Sequence, residues 1–479
     1  MKPFFVTTPI YYVNDLPHIG HAYTTVAADV LVRFKRQSGE TALLLVGTDE
    51  HGAKIAEAAS IHNKNPKEYV DEIVVGFKDA WEKLEIAYDR FIRTTDPDHE
   101  STAKDFLQKL FDRGYITKGI YEGLYCLGHE KFMSPEELVN GICPDHAKPA
   151  LPYKEENYFF KLSQFEKKLI NVIESNELEI RPLERKNEVV GKLRQGLEDI
   201  SISRKSVSWG IPLPFDPSHT CYVWIEALIN YYTYGQPTGA WPADLHLIGK
   251  DILWFHAIVW PAMLLAVDED LPKKIFAHGF FTIGGQKMSK TLGNVITPHQ
   301  LIETFGVEAS RYLLLSSFPF GVDGDFDWSR MAEKYNADLA NGIGNAVSRI
   351  TTLAVGVNGI ILGADPEFEK VFSGLHTKYR AYMSELDFFR ATGIIQEMVK
   401  HLDQYLNEKK PWTLEGGEKK KVLRNCLGMT VALIGCAGPF MPKTADTVFG
   451  SLGLTKGTNP WGAAELKIER GANLFPRLG

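Results

Sequence analysis

The feature that most constrains the fold is an alternation of strand and helix patterns at the start of the chain. The apolar run FFVTTPI, from Phe4 to Ile10, precedes the helical pattern HAYTTVAADVLVRFKRQSG and then the β-rich run TALLLVGTDEHG. Two strand patterns with a helix pattern between them form a βαβ unit, which favours a parallel sheet. The sequence therefore predicts an α/β fold built on such a sheet.

The pattern changes further along the chain. From roughly residue 114 to 217 it breaks into turns and short elements, which indicates an insertion. The α/β rhythm returns with CYVWIEALINYY, DLHLIGKDILWFHAIVW and KKIFAHGFFTIGG. After about Met331 only amphipathic helical periods follow, and these predict an all-α region.

Composition excludes several classes of protein. With 479 residues, 44% apolar and 24% charged, the chain is long enough for more than one globular domain. The start MKPFFVTTPI has no secretory pattern, and no apolar run reaches the ~18 residues that a membrane span needs. We expect a cytoplasmic protein without a membrane partner. A net charge of -7 argues against indiscriminate nucleic-acid binding, so a nucleic-acid partner must meet a local basic surface.

A short H-x-G-H sequence follows the first predicted strand, with His18 and His21 on either side of Gly20. In an open parallel sheet, ligands bind beyond the carboxyl ends of the strands, and the next helix presents free N–H groups to anions. Gly20 lets the backbone approach a phosphate, and the imidazoles can donate hydrogen bonds to oxygens on which charge develops. The alternative is a loop with two solvated histidines.

A second candidate phosphate site is GGQKMSKTLGN, from Gly284 to Asn294. Two glycines precede Lys287 and Lys290, whose ammonium groups suit a polyphosphate. Alone, this would be an ordinary solvated loop. Together, the H-I-G-H and K-M-S-K sequences, each at a predicted strand end, resemble the two-part signature of class I aminoacyl-tRNA synthetases.

Within that class the chain most resembles the methionyl-tRNA synthetases. The matching stretches TTPIYYVNDLPHIGH, GTDEHG, YVWIEALINYY, LIGKDILWFHAIVWPA, KMSKTLGN and KKPW occur in that family's order. The resemblance implies a Rossmann-type catalytic domain, with its first half at 1–113 and its second half at 218–270. It also implies a connective insertion with a zinc knuckle at 114–217, a stem-contact region with the lysine loop at 271–330, and an α-helical anticodon-binding domain at 331–479.

The resemblance also implies the reaction and the partners. L-methionine and ATP would form methionyl-adenylate and pyrophosphate, with Mg²⁺ on the phosphates, and methionine would then pass to the terminal adenosine of tRNA(Met), both initiator and elongator. Positioning and charge stabilisation dominate such a step. No appended dimerisation domain is apparent, so we expect a monomer.

Matching residue by residue assigns the site. The resemblance implies that His18, His21, Lys287 and Lys290 form the catalytic group. It implies that these four would bind ATP together with Gly20, Gly249, Lys250 and Asp251, with Asp251 accepting from a ribose hydroxyl. The methionine pocket is Ile10, Tyr12, Trp224, Ala227, Tyr231 and His256, with Asp49 holding the α-ammonium. Aromatic rings suit a thioether, which is only a weak acceptor. Plain core packing is the alternative for Trp224 and Tyr231, whereas Asp49 ends an apolar run where a parallel sheet binds its ligands.

Two C-x-x-H pairs in the insertion, Cys126 with His129 and Cys143 with His146, supply four ligands of the type that forms a structural zinc site. Many relatives have C-x-x-C in this knuckle, so His129 is a departure, and some relatives bind no metal here. The alternative is a hydrogen-bonded turn pair in which Cys126 is simply buried.

In the helical region, Asn345 and Arg349 lie four residues apart on one predicted helix face, and Trp412 ends KKPW. They resemble the residues with which the family recognises the CAU anticodon. Splayed RNA bases stack on aromatic rings and meet Arg or Asn at their edges. The alternative for Trp412 is a ring packed at a helix end.

Two other interpretations compete. Synthetases for isoleucine, valine or leucine carry an editing domain for which the insertion at 114–217 is too short, and a cysteine enzyme would hold zinc in its amino-acid pocket. The second interpretation is a non-catalytic RNA-binding or scaffold protein with this fold. The presence of His18, His21, Lys287 and Lys290 argues against it.

Overall fold

The structure is a computed structural model of the chain, and it describes residues 2–14, 16–126, 131–133, 137–144, 148–288, 293–471 and 473–479. For Tyr121, Lys131, Phe132, Tyr153 and Lys287 it describes the backbone only. The chain forms two compact units. The first comprises Met1–Pro17, Thr41–Trp81 and Ala87–His278, and the second His18–Glu40, Glu82–Ile86 and Gly279–Gly479.

The strands, in chain order, are β1 (Phe4–Tyr12), β2 (Ala42–Asp49), β3 (Arg90–Arg93), β4 (Ile116–Cys126), β5 (Lys131–Met133), β6 (Ile142–Cys143), β7 (Lys148–Pro149), β8 (Leu151–Phe160), β9 (Glu179–Arg181), β10 (Ile200–Ser201), β11 (Ser203–Arg204), β12 (Pro212–Leu213), β13 (Asp216–Cys221), β14 (Leu245–Gly249), β15 (Lys274–His278), β16 (Phe281–Ile283), β17 (Gln286–Lys287) and β18 (Gly324–Asp325).

The helices are α1 (Ile19–Gln37), α2 (Ala53–Ile61), α3 (Pro66–Lys83), α4 (Pro97–Asp112), α5 (Glu166–Glu174), α6 (Leu183–Leu193), α7 (Val223–Leu228), α8 (Asn230–Gly235), α9 (Trp260–Ala266), α10 (Pro298–Phe305), α11 (Val307–Ser316), α12 (Trp328–Lys334), α13 (Asn345–Ala354), α14 (Pro366–Ser384), α15 (Phe388–Lys409), α16 (Gly416–Ala437) and α17 (Pro442–Ser451). Two π-helical segments, Phe255–Val259 and Tyr335–Gly344, precede α9 and α13.

The core of the first unit is a six-stranded sheet with the order β3-β2-β1-β14-β15-β9, in which every neighbouring pair is parallel. The predicted parallel sheet is confirmed. Its central strands are almost wholly buried, as expected for parallel strands that are covered on both faces. The edge strand β9 comes from within the predicted insertion at 114–217, and the domain boundaries stay a prediction.

The pairing of β1 with β2 determines which side chains meet at the end of the sheet. The ladder runs from Phe4 opposite Ala42, shifts register between Thr7 and Ile10, and ends with Tyr12 opposite Asp49. The shift includes Pro9, which has no N–H to donate to a ladder. Tyr12 and Asp49 are therefore neighbours at the carboxyl ends of adjacent strands.

The rest of the first unit contains smaller antiparallel sheets. The long antiparallel pair of β4 and β8 is extended by β5 and β10. A second sheet pairs β6 with β7, and a third has the order β11-β13-β12. Apart from β13, which continues past residue 217, these elements come from the region that the sequence marks as an insertion.

The second unit holds α1, a small sheet with the order β17-β16-β18, and the helices α10 to α17. Its core includes a buried ion pair, in which Arg311 Nη2 on α11 lies 2.6 Å from Asp29 Oδ2 on α1. Arg311 also donates to the carbonyl groups of Leu84, Pro439 and Phe440. Because a buried guanidinium needs such partners, this residue ties α1 and α11 to the turn after α16.

Beyond Met331 the described residues form helices and turns, apart from one isolated bridge between Ile361 and Glu465, so the predicted all-α region is confirmed. Within the described part of the chain, no helix combines the length and the apolar character that crossing a bilayer requires.

Candidate functional site

The H-x-G-H turn forms the N-terminus of α1. His18 is the N-cap residue, and its ring Nδ1 accepts from the Gly20 N–H at 3.1 Å. The ring Nδ1 of His21 accepts from the His18 N–H at 3.3 Å, which completes a capping box. Since both Nδ1 atoms accept, a neutral imidazole at either position carries its proton on Nε2. The turn thus combines helix N–H groups with two imidazole donors, a combination that suits an anion.

The two rings are stacked, with their centroids 3.8 Å apart. Burial, together with the neighbouring His18 ring, lowers the pKa of His21 well below its ordinary value. His21 is therefore neutral at physiological pH. It acts as a hydrogen-bond donor and not as a fixed positive charge.

Gly20 is needed at its position because of the His18 ring. A Cβ on Gly20 would lie 2.8 Å from His18 Cε1 and 2.9 Å from Nδ1, so any larger residue would displace the cap. The same Cβ position lies 3.6 Å from Met288 Cε. The Ile19 N–H also donates to the Ile296 carbonyl at 2.9 Å. The second unit thus brings the H-x-G-H turn next to the loop that contains K-M-S-K.

The lysine loop starts from a tight hairpin. β16 and β17 pair antiparallel, with Thr282 opposite Lys287, and the connecting residues Gly284 and Gly285 both have positive φ. Two consecutive positive φ values are what a two-residue hairpin turn requires, and glycine adopts them without strain. The backbone of Lys287 thereby ends β17. Lys290 lies outside the described residues.

The candidate amino-acid pocket lies in the first unit, where several predicted residues meet. Asp49 ends β2 opposite Tyr12 and is only 5% exposed, and Ile10 lies opposite Gly47. A Cβ on Gly47 would overlap the Ile92 carbonyl, which explains the glycine. Asp49 therefore lies at the carboxyl edge of the sheet, where parallel sheets bind ligands, and its contact with the α-ammonium stays a prediction.

Helices α7 and α8 and the π-helical segment supply the aromatic residues. Trp224 stacks on Phe255, with centroids 4.4 Å apart and planes at 6°. The Tyr231 hydroxyl lies 2.7 Å from His256 Nε2, and His256 Nδ1 lies 3.0 Å from the Ile252 carbonyl. Ala227 is buried on α7. π-helical segments are frequent at functional sites, and this one places Phe255 and His256 toward two different partners.

Burial keeps this group of rings neutral. Burial lowers the pKa of His256 to about 4. Since His256 Nδ1 donates to a carbonyl, its Nε2 accepts from the Tyr231 hydroxyl. Burial also raises the pKa of Tyr231, and the nearby Asp49 carboxylate contributes to that rise. The Tyr231 hydroxyl donates to His256 Nε2, so neither group needs a hydrogen bond from a ligand. Such a wall suits a thioether, which is apolar and only a weak acceptor.

Asp251 and its neighbours lie at the end of another strand of the same sheet. Gly249 ends β14, and Lys250 and Asp251 begin a short 3₁₀ turn. Asp251 is exposed, so its carboxylate is accessible to a ligand hydroxyl. This edge position agrees with the predicted nucleotide contacts.

Sequence reasoning missed several residues around the pocket. Phe255 covers Trp224, and the buried His246 packs against Tyr231 with centroids 4.4 Å apart while its Nδ1 bonds Thr7 Oγ1 at 2.6 Å. Glu226 and His51 form a buried ion pair of 2.7 Å. A carboxylate inside the apolar helix run VWIEAL, and a histidine two residues after Asp49, were the signals for that pair.

The Cys/His region is described only in part. Cys126 ends β4 and Cys143 ends β6, and both are buried in one small cluster with Met133, Leu138 and Ala150. His129 and His146 lie outside the described residues. The described residues contain no group of three or more His, Cys, Asp or Glu side chains placed to hold a metal. Two thiols in one cluster fit a shared metal, and the full ligand set stays a prediction.

In the bundle of helices that follows Met331, the structure brings two of the predicted anticodon residues together. The Arg349 guanidinium lies 5.9 Å from the Trp412 ring centroid, and it contacts Asp403 and Asn407. Trp412 remains 49% exposed, and Asn345 is exposed at the start of α13. About half of the Trp412 side chain is therefore accessible to a ligand, and its anticodon role stays a prediction.

Comparison with known proteins shows similarity over the whole chain. The family model described as tRNA synthetases class I (M) matches residues 4–151 and 146–351. The chain is 43% identical over 505 residues to a methionine–tRNA ligase of Caldanaerobacter subterraneus subsp. tengcongensis, covering 100% of this chain and 79% of that protein. It is 41% identical over 521 residues to that of Streptomyces coelicolor, covering 100% and 97%.

Among solved structures, Mycobacterium tuberculosis methionyl-tRNA synthetase in complex with methionyl-adenylate has a TM-score of 0.93 and 34% identity, with 100% of both chains covered. The apo form of the same protein has a TM-score of 0.86 and 30% identity, with 100% of this chain and 99% of that chain covered.

Proposed function

The chain belongs to the methionine–tRNA ligases, a family of class I aminoacyl-tRNA synthetases, and from that premise we propose how its residues divide the reaction. The reaction has two steps. A carboxylate oxygen of L-methionine attacks the α-phosphorus of ATP, and the bond to the bridging oxygen breaks, so that pyrophosphate leaves. A ribose hydroxyl of the terminal tRNA adenosine then attacks the methionyl carbonyl, and AMP leaves.

For the first step, we propose that the α1 N-terminus holds the phosphates. Charge on the phosphate oxygens changes as pyrophosphate leaves, and preorganised donors stabilise it without reorganising. His18 and His21 provide Nε2–H donors, and Gly20 leaves room for the capping ring. Lys287 and Lys290 provide charge for the leaving pyrophosphate. Mg²⁺ would bind through the phosphates of ATP, since it keeps several waters and usually binds such substrates through few protein ligands.

We propose that the aromatic group of the first unit recognises the methionine side chain. Trp224, Tyr231 and His256 form its wall, and Ile10, Tyr12 and Ala227 complete it. Because Tyr231 and His256 bond each other, a polar side chain entering here would lose hydrogen bonds to water without regaining them. Asp49 would hold the α-ammonium, and Gly249, Lys250 and Asp251 would hold the adenosine.

In the insertion, we propose one structural zinc ion held by Cys126, His129, Cys143 and His146. The support is the donor set and the shared cluster of the two cysteines. The metal would stabilise the fold of this region and would take no part in the reaction.

For the tRNA, we propose that Asn345, Arg349 and Trp412 recognise the CAU anticodon, with initiator and elongator tRNA(Met) both accepted. The support is an exposed ring beside a guanidinium, which suits a splayed base. We further propose a monomer that acts in the cytoplasm. The buried Cys221, Cys426 and Cys436, which form no disulfide, agree with a reducing compartment.

One observation carries the assignment of the phosphate chemistry: the H-x-G-H cap and Met288 of K-M-S-K lie side by side in the second unit. Pyrophosphate exchange with a panel of amino acids tests the function. Exchange should depend on methionine, with isoleucine, valine, leucine and cysteine far weaker. Dependence on another amino acid would contradict the specificity, and no exchange with any amino acid would favour a non-catalytic RNA-binding protein.

A further inference from the structure

A second polar network lies in the first unit, and the reaction as described above does not use it. The Glu226 carboxylate is 0% exposed and lies between two imidazoles. Its Oε1 is 2.7 Å from His51 Nδ1, and its Oε2 is 2.9 Å from His99 Nε2. His99 Nδ1 in turn lies 3.2 Å from Thr233 Oγ1. Both carboxylate oxygens therefore have a partner, which a buried charge requires.

The members of this network come from different elements that meet at the methionine pocket. His51 follows Asp49 by two residues in the turn after β2. Glu226 lies on α7 between Trp224 and Ala227, two residues proposed for the pocket wall. The His51–Glu226 pair therefore joins the turn that carries the proposed ammonium ligand to the helix that carries the wall.

The charges within the pair support each other. Burial alone raises the pKa of Glu226, but His51 and His99 outweigh it and bring that pKa below its ordinary value. Burial alone lowers the pKa of His51, and Glu226 reverses this so that the pKa of His51 rises. The two shifts thus both favour an imidazolium paired with a carboxylate. Such a pair is stronger and shorter than a neutral hydrogen bond.

The turn itself is held on its other sides as well. The Gly52 N–H donates to the Trp209 carbonyl at 3.0 Å, and Trp209 Nε1 donates to the Glu50 carbonyl at 2.6 Å. The Glu50 carboxylate receives two bonds from Arg93, of 2.7 and 2.8 Å. His51 is thus the residue of this turn that faces α7, and its bond to Glu226 fixes the distance between the turn and α7.

We propose that Glu226 is a positioning residue for the amino-acid substrate. Through His51 it sets the Asp49 carboxylate at the distance from the α7 wall that an α-amino acid requires. This inference rests on the proposed role of Asp49. Binding a thioether and an ammonium at once demands that the wall and the carboxylate keep a fixed separation, and a small misplacement weakens such a two-point contact by roughly 10- to 100-fold.

A merely structural role would predict a different result. General loosening of the pocket weakens every ligand that enters it. Misplacement of Asp49 weakens only ligands that carry an α-ammonium. Methionine and methioninol carry the thioether and the ammonium, whereas 4-methylthiobutanoate carries the thioether and the carboxylate but no ammonium.

The experiment measures the affinity of these three ligands for the full chain with Glu226→Gln, which keeps the side-chain shape and removes the charge. We expect ~10- to 100-fold weaker binding of methionine and methioninol, with 4-methylthiobutanoate unchanged. Glu179→Gln is the matched control. Glu179 lies between Arg181 and Lys274 on β9, as Glu226 lies between two histidines, and its variant should bind all three ligands as the parent does.

A double-variant cycle separates this inference from the role of Asp49. Asp49→Asn alone should weaken methionine and methioninol, and adding Glu226→Gln should weaken them little further, because both changes remove one interaction. If Asp49→Asn weakens methionine but Glu226→Gln does not, the inference is overturned and the role of Asp49 stands. If Asp49→Asn has no effect, the role of Asp49 fails and the inference fails with it.

Two further outcomes are decisive. Equal loss of all three ligands in Glu226→Gln would mean that Glu226 only maintains packing, and the inference would be overturned. Should Glu226→Gln fail to fold, as a thermal melt would reveal, His51→Gln gives the same comparison, because it leaves Glu226 bonded to His99. The same loss confined to methionine and methioninol would support the inference, and any other pattern would overturn it.

Discussion

At the scale of single residues, the H-x-G-H sequence is explained by one turn of helix. His18 caps α1, His21 closes the capping box, and Gly20 is the residue whose missing Cβ leaves space for the cap. Serine, threonine or aspartate would be the usual cap. Histidine caps with Nδ1 and keeps a donor on Nε2, so it can serve the helix and a bound phosphate together.

The first prediction at this scale concerns Lys287. We expect Lys287→Ala to slow adenylate formation by at least ~100-fold with little change in methionine affinity, because the ammonium meets charge that develops on the leaving pyrophosphate. Stopped-flow measurement of adenylate formation tests this. Lys456→Ala is a suitable control, since this lysine pairs with Asp446 in the second unit, and it should retain the parental rate. An unchanged rate in Lys287→Ala would remove this lysine from the mechanism.

At the scale of elements, short irregular segments decide where the pocket residues lie. The π-helical segment Phe255–Val259 changes the direction in which the side chains before and after it point. A regular α-helix here would orient those side chains differently. The segment allows Phe255 to cover Trp224 while His256 reaches Tyr231. Helical periodicity in the sequence cannot reveal such a segment, so Phe255 was missed.

A second prediction concerns the Cys/His region of the first unit. Metal analysis of untagged protein should find about one zinc per chain, and Cys143→Ser should lose it together with local order. Cys221→Ser is the control, because Cys221 is also buried and lies outside the two C-x-x-H pairs. Absence of metal in parental protein purified without chelators would leave the hydrogen-bonded turn as the explanation.

A third prediction concerns the segment between α15 and α16, which presents Trp412. We expect Trp412→Ala to lose most tRNA charging, since a stacked base contributes ~1–3 kcal/mol, while pyrophosphate exchange without tRNA stays near normal. Phe389→Ala is the control, because Phe389 is an aromatic residue of the same bundle at 38% exposure, and it should charge tRNA as the parent does.

Two results would count against the anticodon role of Trp412. Normal charging by a folded Trp412→Ala protein would reduce this residue to packing. A parallel fall of charging and exchange would show a defect of stability instead of RNA recognition.

At the scale of the whole molecule, buried neutral histidines make stability depend on pH. The pKa of His256 is lowered to about 4, whereas an unfolded histidine titrates near pH 6.5. Between these values the unfolded chain binds a proton that the folded chain does not. Stability is therefore complete above the unfolded pKa and decreases as the pH falls through this window.

The fourth prediction follows from that linkage. Between pH 7 and pH 5 the parent should lose about 2 kcal/mol more unfolding free energy than His256→Gln, since the variant has no such proton to exclude. Urea denaturation of both proteins at the two pH values, followed by tryptophan fluorescence, measures the difference. Equal losses would show that His256 is accessible to protons in the folded state.

The local pattern of the chain determined much of this protein. Apolar runs of strand length alternating with helical periods indicate a parallel sheet, because each element's burial is encoded within its own residues. The two short motifs indicated nucleotide chemistry for the same reason, as the required residue types lie within a few positions of each other. The position of Asp49 at the carboxyl edge of the sheet could be predicted, because any residue that ends a central parallel strand lies there.

Only the tertiary structure decided which distant residues meet. The Glu226–His51–His99 network joins three elements, and Arg311 reaches Asp29 and carbonyl groups far along the chain. β9 joins the central sheet from a region that the sequence marks as an insertion. A buried charge is stable only when partners from other elements surround it, and packing of the whole unit supplies those partners. No periodicity within one segment contains that information.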